Sequence, residues 1–189
     1  MPLRKNQTLM NERVYNQSPD KLRSPDRTNR LQVDVVVQRC LHDVQVKTLL
    51  DIGTGSALFA EAFKKAGVSV SGVDINSDMI DAAKRHVPGS EFLVAPAEAL
   101  PFADGSFDST FFGVVLHEVS ESVKALSEAH RVARCCTFIL EWQYKHEEFG
   151  PPLEHRLTEK HIRALSLSAG YRSFTATPLG TLVLYKLYK

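Results

Sequence analysis

From residue 46 onward the chain alternates between short apolar runs and longer amphipathic segments, and few architectures accept such a pattern. Val46–Asp51, Val68–Asp74, Glu91–Ala95, Phe107–Val114 and Cys135–Trp142 are rich in β-branched and aromatic residues and read as strands. Between them Ser56–Ala66, Ser77–His86, Ser122–Ala133 and Thr158–Ala169 repeat apolar residues at helical spacing. Gly67, Pro88-Gly89 and Gly170 supply the breaks. Strands joined by whole helices must pair in parallel, because a tight turn can only reverse the chain. Tyr171–Thr177 and Thr181–Tyr188 are joined by a short turn around Pro178-Leu179-Gly180, so that pair is antiparallel. The expected fold is α/β: a three-layer αβα sandwich around a Rossmann-like, seven-stranded, mostly parallel sheet that ends in an antiparallel hairpin.

Upstream, Ser24-Pro25-Asp26 is a helix start, with a capping serine, a proline at the first turn and an acid at the positive end. The spacing predicts a helix from there to about Leu41, with Leu31, Val35 and Arg39 on one face. Residues 1–23 are polar and charged and read as a flexible segment, although Tyr15 could cover a ligand in the cleft. Residues 24–189 read as one domain, large enough to hold a core without disulfides.

Composition removes several function classes. A formal net charge of +1 gives no field that would gather nucleic acid or an anionic membrane. No apolar stretch reaches the roughly 18 residues of a membrane span, and the first residues hold no apolar leader. Three cysteines, Cys40, Cys135 and Cys136, fit a reducing compartment better than a disulfide frame, so a cytoplasmic location is expected. His146, Glu147, Glu148, His155 and His161 match no tetrahedral ligand spacing, and no metal site is expected. The last segment, LVLYKLYK, reads as an exposed sheet edge on which copies could pair, blunted by its lysines.

In a doubly wound sheet ligands bind beyond the carboxyl ends of the strands. The first such loop reads Asp51-Ile52-Gly53-Thr54-Gly55-Ser56-Ala57. Its glycines permit a tight turn and a close approach of backbone to ligand. The second loop offers Asp74, an acid placed to accept both hydroxyls of a ribose. A dinucleotide fingerprint would need a third glycine where the chain has Leu58. It would also seat a pyrophosphate, which the Asp51 carboxylate would repel. Asp51 suits instead the ammonium or sulfonium end of S-adenosylmethionine (SAM), or else simply binds N–H groups of the turn.

The stretches LLDIGTGSALFAEAF, VSGVDINSDMI, AEALPF, SFDSTFFGVVLHEV and SEAHRV, in that order, resemble the motifs of class I SAM-dependent methyltransferases of the type 11, UbiE-like branch. The resemblance implies SAM as cofactor. It implies contacts from Asp51, Gly53, Thr54, Gly55 and Leu58 in the turn, Asp74 on the ribose and Ile75 on the adenine. Ala97 and Glu98 would line the adenine edge, and Gly113 would close the site at the fourth strand. Ala57 stands at the family's third small position, and Pro96 replaces an aspartate that accepts from the adenine amino group. The implied activity is methyl transfer to a small or medium-sized acceptor. A non-catalytic SAM-binding module and a nicotinamide-dependent oxidoreductase are the rival readings.

Displacement at a sulfonium creates a neutral leaving group, so a base is needed only if the acceptor must lose a proton. His117, in the loop after the fourth strand, is the candidate base or acceptor-orienting group, or a histidine that caps that loop. After the fifth strand, Trp142, His155 and Arg156 flank a stiff Gly150-Pro151-Pro152 and could form an acceptor lid. Arg156 would there pair an anionic acceptor group, or form a structural salt bridge with Glu154.

Overall fold

The computed structural model describes residues 18–189. Tyr15 lies outside them. Among the described residues seven strands form a single sheet: β1 (Thr48–Ile52), β2 (Ser69–Asp74), β3 (Glu91–Val94), β4 (Phe107–Gly113), β5 (Ala133–Trp142), β6 (Ser173–Leu179) and β7 (Leu182–Tyr188). Their order is β3-β2-β1-β4-β5-β7-β6. The first five pair in parallel, and β7 runs antiparallel to both β5 and β6. β1 is buried on both faces from Leu49 to Ile52, as the continuous apolar run Leu49-Leu50 with Ile52 requires of a central parallel strand.

The helices are α1 (Pro25–Leu31), α2 (Val33–Leu41), α3 (Leu58–Lys65), α4 (Ser77–His86), α5 (Ser122–Val132) and α6 (Glu159–Ser168). One core layer joins α2, α3 and α4 to the sheet through Val36, Phe63 and Ile80. The opposite layer joins α5 and α6 through Leu126, Ala129 and Ile162. The strand order reverses between β1 and β4, and the connections from β1, β2 and β4 meet at that point.

Three sequence expectations change. The helix expected over 24–41 is two helices, broken at Gln32, whose backbone is left-handed at φ 49°. Gln32 Nε2 donates to the Leu179 carbonyl at 3.2 Å, tying the break to the end of β6. The buried face of α2 is Val33, Val36, Val37 and Cys40, while Val35 and Arg39 face solvent. The valine run concealed that period, because apolar residues stood on every side. Second, LVLYKLYK is not an edge: β7 lies between β5 and β6. The edge is β6, which tolerates Pro178 because an outer strand has a side with no ladder to feed. Third, Pro19–Arg23, expected to be flexible, forms a short 3₁₀ helix against the domain. Arg23 holds it there, donating to the Ser56 carbonyl at 2.9 Å and pairing with Glu61.

Candidate active site

The turn after β1 is built from its backbone. Gly53 and Gly55 sit at φ 69° and 53°, and Ala57 enters α3 at φ 60°. The Gly53 and Thr54 N–H groups both donate to the Val73 carbonyl of β2, at 2.8 and 2.9 Å. The Gly55 N–H donates to Asp74 Oδ2 at 2.9 Å, and Asp74 Oδ1 accepts from the Asn76 N–H at 2.9 Å. A Cβ on Gly53 would lie 2.5 Å from Val115 Cγ2, and one on Gly55 2.8 Å from Leu22 Cδ1. Glycine is thus favoured at Gly53 by dihedral angle and by space, and at Gly55 chiefly by dihedral angle, since the end of the Leu22 side chain can yield.

A cleft opens above this turn. Its walls include Gly53, Thr54, Gly55 and Leu58 from the turn, Asp74 and Ile75 from the β2 loop, and Ala97 and Glu98 from the β3 loop. Gly113 closes it at β4, where a Cβ would fall 2.8 Å from Phe111 Cε1 and 2.9 Å from Phe59 Cδ2. Ile75 remains 53% exposed, an apolar side chain at the rim with one face free. Leu22, Arg27 and Leu31 cover the cleft from the N-terminal side. Pro96 is exposed and off the lining, between Ala95 and Ala97, which are on it.

Asp51 stands apart from the other expected contacts. It is 2% exposed and lies beneath the turn rather than on the cleft wall. Its Oδ2 accepts from the Thr54 hydroxyl at 2.7 Å, and its carboxylate also accepts from the Ala60 N–H. Burial pushes its pKa up to about 7, against the pull of those two donors and with a smaller push from the Asp74 charge. Asp74 is also raised, by burial above all, although the N–H groups of Asn76, Gly55 and Ile75 oppose the shift.

Val114 follows β4 with φ 55°, a left-handed conformation rare for a β-branched residue. Its N–H donates to the Leu140 carbonyl at 2.8 Å, and its side chain lines the cleft. Strain of this kind concentrates at functional sites. The chain then forms a short 3₁₀ turn, Leu116–Glu118, which carries His117. His117 is buried and its Nδ1 lies 3.0 and 2.9 Å from the two carboxylate oxygens of Glu141, at the end of β5. Burial alone would lower the His117 pKa. The Glu141 charge and hydrogen bond, with the Glu118 charge, outweigh it and raise the pKa above the ordinary value, while Arg27 opposes them.

The expected acceptor lid is differently arranged. Arg156 is buried, and its guanidinium donates to four backbone carbonyls, those of Pro151, Gln143, Lys145 and Phe149, at 2.7–3.1 Å. It clamps its own loop and makes no salt bridge with Glu154 among the described residues. A guanidinium so engaged has little left to offer an anion, which corrects its expected place as an anion partner. Trp142 is buried against Phe149, and His155 is half-buried in the turn Leu153–His155; neither lines the cleft. Sequence reasoning missed Glu141, although a carboxylate closing the run Phe138-Ile139-Leu140 was a signal. It also missed Ser56, whose buried Oγ has no hydrogen-bond partner among the described residues and which lines the cleft.

Fold and cleft together define a protein of the nucleotide-cofactor α/β class. Comparison with known proteins narrows it. Residues 50–135 match the methyltransferase domain model. A demethylmenaquinone methyltransferase of Renibacterium salmoninarum is 34% identical over 147 residues, covering 78% of this chain and 60% of that one. A ubiquinone/menaquinone biosynthesis C-methyltransferase UbiE of Geotalea uraniireducens is 38% identical over 95 residues, 46% of this chain and 40% of that one. A SAM-dependent methyltransferase from Aquifex aeolicus superposes with a TM-score of 0.77 at 24% identity, covering 92% of this chain and 98% of that one. The [4+2]-cyclase SpnF shares the fold at TM-score 0.70 and 14% identity, covering 88% of this chain and 82% of that one. These matches make the chain similar to the class I SAM-dependent methyltransferases of the type 11, UbiE-like branch, with residues 50–135 as the matched domain. It spans about 40–60% of the length of these two quinone-pathway relatives.

Proposed function

We propose that this chain binds SAM in the cleft above the Gly53–Gly55 turn and transfers its methyl group to a carbon of a small hydroxylated aromatic acceptor of the hydroquinone class. The observation that carries the cofactor part is the Asp74 carboxylate at the cleft wall. Its oxygens already accept from the Gly55 and Asn76 N–H groups, with that of Ile75 also bearing on them, yet a carboxylate has about four acceptor positions, so a ribose hydroxyl can still be held. The unpartnered Ser56 Oγ is a further polar group that a ligand would satisfy. Ile75 would pack on the adenine, with Ala97 and Glu98 along its edge. Asp51 would act through the turn it supports and through its charge on the cationic end of the ligand.

The acceptor class follows the two relatives, one named a demethylmenaquinone methyltransferase and the other a C-methyltransferase of ubiquinone/menaquinone biosynthesis. When bound, SAM supplies a methyl carbon activated by a sulfonium. A phenol becomes a carbon nucleophile once its hydroxyl proton is removed, which is the task assigned to His117. Removing that proton raises electron density on the ring carbon next to the oxygen. The hydrogen on that carbon leaves as a proton after methylation, and the proton taken by His117 returns to the oxygen. Incubation with methyl-labelled SAM and a panel of hydroquinones tests the reading. Label should enter one of them at carbon, and His117→Ala should slow transfer by about 10²-fold or more. Label in an oxygen-linked methyl, or equal rates for the variant, would overturn it.

A further inference from the structure

Glu141 is a carboxylate placed where an apolar residue would be expected. It is 1% exposed, next to Phe138, Ile139 and Leu140, which are fully buried. A buried charge needs donors, and it has three N–H groups: His117 N at 3.1 Å, His117 Nδ1 at 2.9 Å and Trp142 N at 3.3 Å. No lysine or arginine pairs with it among the described residues, so the imidazole is its only side-chain partner there. A carboxylate can only accept, so the shared hydrogen resides on Nδ1 and Nε2 is left with a lone pair in the neutral ring. Nε2 is 3.8 Å from Glu118 Oε1, too far for a hydrogen bond, and Glu118 lines the cofactor cleft.

His117 also borders a second cavity, an open groove of about 590 Å³, where Leu116, Val119, Leu157 and Leu165 stand beside the polar Ser120 and Ser122. Val119 and Ser120 line both this cavity and the cleft, so His117 stands in the partition between them. We infer that Glu141 is a positioning residue, which fixes the His117 ring and tautomer so that Nε2 takes a hydroxyl proton from an aromatic acceptor seated in this second cavity. The identity of the acceptor rests on the proposed function; the hold of Glu141 on the ring does not. In the step, the acceptor O–H bond breaks, an Nε2–H bond forms, and the imidazolium charge is met by Glu141. The other charged or titratable groups facing the ring are Glu118 and, on α1, Arg27, while Glu121, Lys124 and His161 border the same cavity.

Long-range ¹H–¹⁵N spectra of histidine-labelled protein, recorded across pH without SAM or acceptor, test the hold directly. His117 should titrate above ordinary imidazole and, when neutral, carry its proton on Nδ1. In Glu141→Gln the midpoint should fall, since the charge that raises it is gone. A neutral ring protonated on Nε2, or a midpoint unmoved by the substitution, would overturn the inference. Should Glu141→Gln fail to fold, the wild-type tautomer decides alone. These readouts need no turnover, so they stand or fall separately from the proposed reaction. With 1,4-dihydroxynaphthalene as methyl acceptor, Glu141→Gln should lower kcat about tenfold or more. The SAM KM should stay within about twofold, and the acidic limb should move to lower pH, because a weaker base is deprotonated earlier. An unchanged pH profile would overturn the inference.

Discussion

Replacing Gly53 by alanine tests whether the cofactor turn and the β4 loop are fitted to each other. The added Cβ would meet Val115 Cγ2 at 2.5 Å, Cγ1 at 3.0 Å and Cβ at 3.1 Å. Holding a non-glycine residue at φ 69° costs about 1–2 kcal/mol by itself. Forcing a methyl into occupied space adds about 1–3 kcal/mol. The sum, roughly 2–5 kcal/mol, is a large part of the 5–15 kcal/mol that stabilises an ordinary domain. For a chain of this length the melting temperature should fall by roughly 4–20 °C. Val115→Ala removes both Cγ atoms, and so relieves the two closest contacts, leaving the 3.1 Å approach of Cβ and the dihedral strain. Urea unfolding of the four proteins in this double-mutant cycle should give a favourable coupling of about 1–3 kcal/mol. Additive costs within about 0.5 kcal/mol, or a Gly53→Ala loss below about 1 kcal/mol, would refute the packing argument.

Two further substitutions separate structural from ligand-directed roles. Asp51, with a folded pKa of about 7 against 3.8 for an ordinary aspartate, holds its proton more tightly in the fold than in the unfolded chain. Its contribution therefore favours the fold at low pH and is lost as pH rises from about 4 to about 7, so Asp51→Asn should gain on the wild type across that window. Parallel curves of unfolding free energy against pH would show that Asp51 is not the group responsible. Arg156→Ala should cost at least about 1.5–3 kcal/mol, the worth of a hydrogen bond from a charged donor, and open residues 143–151 to proteolysis, and lysine should not restore them, since it cannot span four carbonyls. A stable, protease-resistant Arg156→Ala protein whose only defect is a raised acceptor KM would restore the reading of Arg156 as an anion partner.

The parts of this fold that were legible in the sequence are those set by local pattern. Ser77–His86 has a capping Asn76, whose side chain accepts from the Asp78 N–H, and its apolar residues keep a clean helical period. The glycine turn and Asp74 were readable because tight turns and strand ends restrict residue choice so strongly. Long-range packing was not readable. Nothing in Leu22, Arg27 or Leu31 announces that they cover the cleft, since the contact depends on where the Gln32 break sends α1. Arg156 misled because its residue type suits an anion, whereas its partners are carbonyls of a loop whose path no local signal gives. Glu141 was missed because its significance lies in His117, on the turn after β4, and pairing between β4 and β5 is what brings the two together.

The most direct measurement is a calorimetric titration of the wild-type chain and of Asp74→Ala with SAM and, separately, with NADH. SAM should bind at one site per chain, and loss of a charged hydrogen-bond acceptor should weaken it by about 1.5–3 kcal/mol, roughly 10- to 150-fold. NADH should give no saturable heat, because its pyrophosphate would sit over the Asp51 carboxylate at a turn with Leu58 in place of the third glycine. Tight binding of NADH without SAM, or SAM affinity unchanged in Asp74→Ala, would contradict the assignment of this cleft.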